Sequence, residues 1–347
     1  MAGGVTFLFG DQLSDKQIGV GIQANGQVQD IGGQVVYQNL KSRWNYGMGL
    51  EHIPYLFGYL ANFGPNGAAL IFQRIFVDQF SAMTAYPFSS TRRIEFSGGA
   101  TRLGYSSQAF DYYSGQQIPA EGLPSYPTSY YESGSVAYVG DNSYEAFTGP
   151  VQGERYRMEV TPTFGSLKYT TTLADYRRYF FMRPFTLAFR GMHYGRYGRD
   201  AEDPRQYQIY LGEETLLRGY GYGSFSTNEC NQNSCTVLQS LFGSRIGLAS
   251  AEFRIPLFGV PEYGLINFPY LPTTIAPFFD AGEAWTSTET PHFAFQSDGV
   301  QRGIVSSAGV SARMNLLGYA TFEAYVARPF QRPGRGWVVG LQLAPAW

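Results

Sequence analysis

The sequence predicts an all-β fold, a transmembrane antiparallel β-barrel of about 16 strands with long extracellular loops. Three observations lead there: the composition, the missing helical period, and a period-two alternation that recurs from end to end. The 347 residues include 27 Tyr, 27 Phe and 42 Gly, yet only 15% are charged and the net charge is -2. Lys16, Lys41 and Lys168 are the only lysines, so nearly all positive charge is arginine. Soluble domains carry about 25% charged residues. No apolar series at i, i+3, i+4 and i+7 marks an amphipathic helix, and no apolar run approaches the roughly 18 residues of a spanning helix. A mean hydropathy of -0.20 fits a barrel, whose strands alternate lipid-facing with lumen-facing residues.

The alternation is readable segment by segment. At the C-terminus Trp337, Val339, Leu341, Leu343, Pro345 and Trp347 share one face, against Val338, Gly340, Gln342, Ala344 and Ala346. From Gly303 to Asn315, Ile304, Ser306, Ala308, Val310, Ala312 and Met314 oppose Val305, Ser307, Gly309, Ser311, Arg313 and Asn315. Tyr156, Met158 and Val160 oppose Arg155, Arg157, Glu159 and Thr161. Charges opposite an aromatic or aliphatic face suit a barrel with a polar lumen; taken singly, each strand could also belong to a sandwich that buries its apolar side.

Fifteen strand segments follow, near 4–10, 17–25, 31–41, 43–53, 73–87, 91–105, 135–147, 153–164, 167–182, 185–198, 244–258, 273–286, 303–316, 319–330 and 336–347. Connections alternate in length. Short ones lie at Asp11 to Asp15, Lys41 to Arg43, Phe88 to Thr91, Gly149 to Gly153, Met182 to Pro184 and Leu316 to Tyr319; long ones at 54–72, 106–134, 199–243 and 287–302. Short turns belong to the periplasmic side and long loops to the exterior, with 259–272 a long exception. Residues 1–347 read as one barrel domain. Single-chain bacterial barrels close with an even strand number, so a strand is missed, merged, or upstream of Met1. The opening residues lack the basic, apolar and cleavage regions of a signal peptide, and the chain reads as a mature protein or the C-terminal part of a longer one.

Cys230 and Cys235 both lie in the 199–243 loop. They are either two free thiols or a disulfide closing a short loop in an oxidising compartment, and the latter is expected. No metal site, cofactor or enzyme activity is expected, because His52, His193 and His292 are scattered and suit neither a catalytic triad nor metal ligation. Gly219-Tyr220-Gly221-Tyr222-Gly223 is glycine-rich but opens no helix, which argues against a phosphate cradle; no basic patch points to nucleic acid.

The most informative pair is an arginine on the long loop, in Leu217-Arg218-Gly219-Tyr220, and a carboxylate in an apolar strand, in Phe278-Phe279-Asp280-Ala281-Gly282. They suggest one ion pair, with the loop folded back into an enclosed space.

These residues resemble a known family. Leu217-Arg218-Gly219-Tyr220 is similar to the loop-six motif of the outer membrane protein eighty-five superfamily, the BamA-like or bacterial surface antigen barrels. Phe278 to Gly282 resembles its F-x-D-x-G strand, and Ala251-Glu252-Phe253-Arg254-Ile255-Pro256-Leu257 its E-x-R-x-P-L strand end. A Leu-Gly-Tyr turn at 317–319, Tyr325 to Phe330 and the terminal Trp347 follow in the family's order, and the resemblance runs from about 135 to 347.

The resemblance implies a bacterial outer-membrane barrel of the polypeptide translocation or insertion type. Loop six, residues 199–243, would tuck into the lumen, Arg218 would pair with Asp280 near Glu252 and Gly282, and Trp347 would serve as a C-terminal sorting signal as well as a belt aromatic. Implied partners are outer-membrane lipid and lipopolysaccharide, the barrel-assembly machinery, and a client polypeptide or periplasmic module. The family's polypeptide-transport-associated domains do not occur in these residues, which leaves a membrane anchor and a passive pore as alternatives.

Overall fold

A computed structural model of the chain describes residues 3–24, 28–62, 64, 67–119, 121, 123, 126–226, 229, 236–292, 294–295, 302–316, 318 and 320–343. The chain forms two compact units, one of residues 1–89, 93–136 and 161–168, the other of residues 90–92, 137–160 and 169–347.

The first unit is a run of antiparallel hairpins. β1 (Gly3–Gly10), β2 (Lys16–Ala24), β3 (Ile31–Asn39), β4 (Asn45–Ala61) and β5 (Ala69–Ser89) each pair with the next. β6 (Arg92–Asp111) follows, and the short β7 (Gln117–Ile118) pairs with its end. The first turn is tight because Asp11 accepts the Ser14 N–H at 3.0 Å through its carbonyl and the Lys16 N–H at 3.2 Å through its side chain. A buried ion pair lies on one face, where Arg74 on β5 grips Asp30, just before β3, at 2.7 and 3.2 Å.

Two expected long loops are shorter than the sequence reading placed them. β4 runs on to Ala61 and β5 begins at Ala69, so the 54–72 connection shrinks; likewise β6 extends to Asp111 and β8 (Ser129–Asp141) opens before 135. Pro54 lacks a backbone donor, but its fixed φ is compatible with a strand. It sits opposite Phe76, and Tyr55, Phe57 and Tyr59 resume an exposed aromatic row beyond it.

The boundary between the units falls within β8 and β10. In the second unit β9 (Tyr144–Ala146) pairs with the start of β10 (Gly149–Gly165), and β11 (Tyr169–Met182) pairs with β12 (Phe185–Tyr197). The long connection after β12 holds β13 (Ile209–Tyr210), β14 (Phe242–Gly243) and one helical turn, α1 (Thr236–Ser240). β12 then pairs with β15 (Arg245–Gly259), which passes through the two-residue β16 (Ile266–Asn267) to β17 (Thr273–Trp285). β18 (Val305–Leu316), β19 (Ala320–Pro329) and β20 (Val338–Leu343) complete the ladder by successive antiparallel hairpins.

The two faces of this ladder are inverted relative to a soluble protein. Phe189, Phe279, Val310, Val326, Val339 and Leu341 stand exposed, while Glu252, Arg254, Asp280, Arg313 and Glu323 are buried on the opposite face. A sandwich would bury the apolar side, so this arrangement favours a strand wall whose outer face meets lipid. Glycines let large side chains lie across neighbouring strands, since the Tyr325 ring occupies the place a side chain on Gly340 would need.

Candidate functional site

The polar face of β15 to β19 carries a closed network of six charges. Arg218, from the 199–243 connection, donates from Nε and Nη2 to Asp280 on β17 at 2.8 and 2.9 Å, and from Nη1 to Glu252 on β15 at 2.8 Å and Glu323 on β19 at 3.0 Å. Arg313 on β18 donates to Glu252 at 2.7 Å and to Glu323 at 3.1 Å; Arg254 on β15 donates to Glu252 at 2.9 Å. Three arginines thus face three carboxylates, and none of the six is more than 5% exposed. Buried charges persist only when paired and hydrogen-bonded, and this set meets that condition.

Strand parity explains the assembly. Arg313 and Glu323 are direct partners across the β18–β19 hairpin, and Asp280 stands opposite Ser250 across β15 and β17. Residues of one parity share a face, so these groups project toward the connection. The guanidinium carbon of Arg218 also lies 3.5 Å from the centre of the Phe278 ring, one parity step from Asp280. A flat fork that binds a carboxylate side-on while stacking on an aromatic face is specific to arginine.

The flanking loop residues are fitted to the same wall. Leu217 and Tyr220 are fully buried in a cluster with Leu211, Val237 and Leu241 from the connection and Ile246, Leu248, Ala284 and Val305 from the strands. Gly219 has φ +88, and a Cβ there would stand 3.2 Å from that of Ala327. Gly282 faces the connection, where a Cβ would lie 3.1 Å from Leu211. The Tyr220 hydroxyl lies 3.0 Å from the Ser306 carbonyl, and Arg332, beyond β19, donates to Gly219 O at 2.7 Å and to Glu229 at 2.6 and 2.8 Å. Burial would push the Glu229 carboxyl up, but the Arg332 fork and the Ser226 N–H and hydroxyl hold it below the usual carboxylate range.

The structure therefore brings Leu217, Arg218, Gly219, Tyr220, Glu252, Asp280 and Gly282 together. Arg254, Arg313, Glu323 and Arg332 were not foreseen as members. Arg254 stood inside the E-x-R motif, and the Arg313–Glu323 rung could have been found from the parity of the hairpin; Arg332 carried no signal. Cys230, Cys235, Pro345 and Trp347 lie outside the described residues.

The Omp85 superfamily domain matches residues 86–335. The chain belongs to the Omp85 superfamily. It is an outer-membrane β-barrel protein of the Gram-negative type. The match begins well before residue 135, where the motif resemblance could first be followed. Among solved structures, BamA from Haemophilus ducreyi lacking POTRA domains 1-3 is similar over 98% of this chain and 69% of its own, at 14% identity and a TM-score of 0.61. CdiB from Acinetobacter baumannii aligns over 99% of this chain with 13% identity and a TM-score of 0.55, and CdiB from Escherichia coli over 99% with 11% identity and a TM-score of 0.53. This Omp85 chain spans 56% and 59% of those two CdiB chains. At such identities the likeness speaks for the fold. No curated protein matches the sequence significantly.

Proposed function

We propose that this Omp85 protein is a polypeptide translocation or insertion barrel in which the 199–243 connection, loop six, plugs the lumen and Arg218 clasps it to the inner wall. One observation carries the reading: Arg218 reaches carboxylates on three separate strands, Asp280, Glu252 and Glu323. A solvated loop arginine would contribute between zero and about 1 kcal/mol, and would not need three buried partners.

The chemistry offers a latch and no reaction centre. All six network charges are hydrogen-bonded to one another, which leaves none poised for proton transfer. Such a latch suits a conduit that must stay shut until a client or accessory module disturbs the loop. Lipid and lipopolysaccharide would contact the exposed apolar face, and the barrel-assembly machinery would act during biogenesis.

The test uses the purified protein in lipid vesicles, with an unfolded outer-membrane barrel polypeptide as client and heat-modifiable mobility as the readout. Faster client folding than in empty vesicles is expected, with Arg218→Ala altering the rate. A rate equal to that of empty vesicles would favour a membrane anchor, and a large steady conductance in planar bilayers, unchanged by Arg218→Ala, would favour a passive pore.

A further inference from the structure

A second segment reaches the same polar face from a different part of the second unit. Residues 147–150, which join β9 to β10 and include the first two residues of β10, should form an ordinary short hairpin turn. Instead the turn makes contacts with strands that are not its ladder neighbours. The Thr148 hydroxyl lies 2.6 Å from that of Thr274 on β17, Asn315 at the end of β18 donates to the Phe147 carbonyl at 2.5 Å, and Arg254 on β15 donates to the Pro150 carbonyl at 2.8 Å.

The local chain is built for this detour. Gly149 and Gly153 have φ of +138 and +99, and the pairing of β10 with β9 slips its register between Pro150 and Gln152. A bulge with glycines at positive φ bends a hairpin off its own wall. At Gly153 a side chain would run into the Asn142 carbonyl, so the bend tolerates only glycine there. The side of the bend is closed by rings, with the Tyr144 hydroxyl 3.2 Å from that of Tyr263 in the β15–β17 connection.

Arg254 links the two segments. Its Nη1 holds Pro150 O, while its Nε holds Glu252 Oε2 at 2.9 Å, and the other oxygen of Glu252 takes Arg218 and Arg313. Moving the turn shifts Arg254 with the Pro150 carbonyl, and Arg254 pulls on Glu252 through its bond to Oε2. The carboxylate then turns out of line with Arg218 and Arg313 on its other oxygen, and the clasp is weakened.

We propose that the 147–150 turn is a second internal latch, coupled to the Arg218 clasp through Arg254 and Glu252, so that releasing the turn loosens loop six. This goes beyond the lumen-plug reading and rests on it for the buried state of Arg218. The Arg218–Gly219 peptide bond supplies the assay, because trypsin can cut there only when the clasp lets go.

The measurement is the rate of tryptic cleavage after Arg218 in the folded, purified barrel. Thr148→Val combined with Asn315→Leu removes turn contacts and leaves all six network charges in place. It should raise the rate by at least about five-fold, the factor that one of the two removed hydrogen bonds commands at about 1 kcal/mol net. The reverse variant, Thr148→Cys with Thr274→Cys, should form a disulfide seen on non-reducing gels and cut the rate below that of the parent protein. Because it adds a bond in the folded state, this arm stands even if the first variant fails to fold. Failure of the crosslink to form, or a cleavage rate indifferent to it, overturns the coupling. Fast cleavage in the parent protein would instead overturn the clasp itself, so the two failures are distinguishable.

Discussion

Arg218 is the sole described hydrogen-bond donor to Asp280, giving it Nε, Nη2 and, at 3.4 Å, its own backbone N–H. The dependence is not mutual, because Arg218 also holds Glu252 and Glu323. Arg218→Ala therefore strands a buried carboxylate, at roughly 3–5 kcal/mol, whereas Asp280→Asn leaves the arginine two acidic partners and should cost less. The temperature of the heat-modifiable mobility shift would rank them. Arg218→Lys should fall between the parent and Arg218→Ala, since an ammonium keeps the charge but not the fork.

The close approach of loop and wall gives a second expectation, at glycines. A Cβ on Gly282 would stand 2.9 Å from the Gly247 carbonyl and 3.1 and 3.2 Å from the two methyls of Leu211. Gly282→Ala should destabilise by about 1–3 kcal/mol through overpacking. Gly219→Ala adds backbone strain at φ +88 and should cost about 1–3 kcal/mol. Thermal transitions of the folded barrel would measure both, and two neutral results would mean that the loop does not lie against this wall.

Acid should loosen the far side of the loop first. Glu229, with an ordinary value of 4.5, is held lower in the folded protein against the effect of its burial, by Arg332 and by Ser226. A depressed folded value means that the stabilisation is complete above the ordinary range and disappears as pH falls through the depressed one. The thermal transition of the folded barrel, followed against pH, should fall as pH drops below the ordinary carboxylate value of 4.5. Glu229→Gln should show the lower transition at neutral pH and a smaller acid response, and an unchanged acid response in that variant would contradict the assignment.

Much of the strand plan was legible because period two is imposed by geometry: Val339, Leu341 and Leu343 must share a face whatever else the chain does. The fifteen segments correspond one for one to the described strands of six or more residues. Loop lengths were less legible. Pro54 is a poor ladder donor, yet β4 continues through it because the aromatic row of Tyr55, Phe57 and Tyr59 resumes on the far side. For the site, Arg218, Asp280 and Glu252 were readable from motifs, but Arg313 and Glu323 belong only by virtue of hairpin register, which no residue type announces. Arg332 lies over 100 residues from the Gly219 and Glu229 it holds, a contact that only the folded chain can reveal.

The central claim is that Arg218 and Asp280 form one clasp that holds the loop against the wall. A double-mutant cycle tests it most directly, with Arg218→Ala, Asp280→Asn and the pair together followed by thermal loss of heat-modifiable mobility. Removing the stranded carboxylate should recover stability, so the double variant is expected to be no less stable than Arg218→Ala alone. Losses that simply add would show that the two residues act independently, and would contradict the clasp.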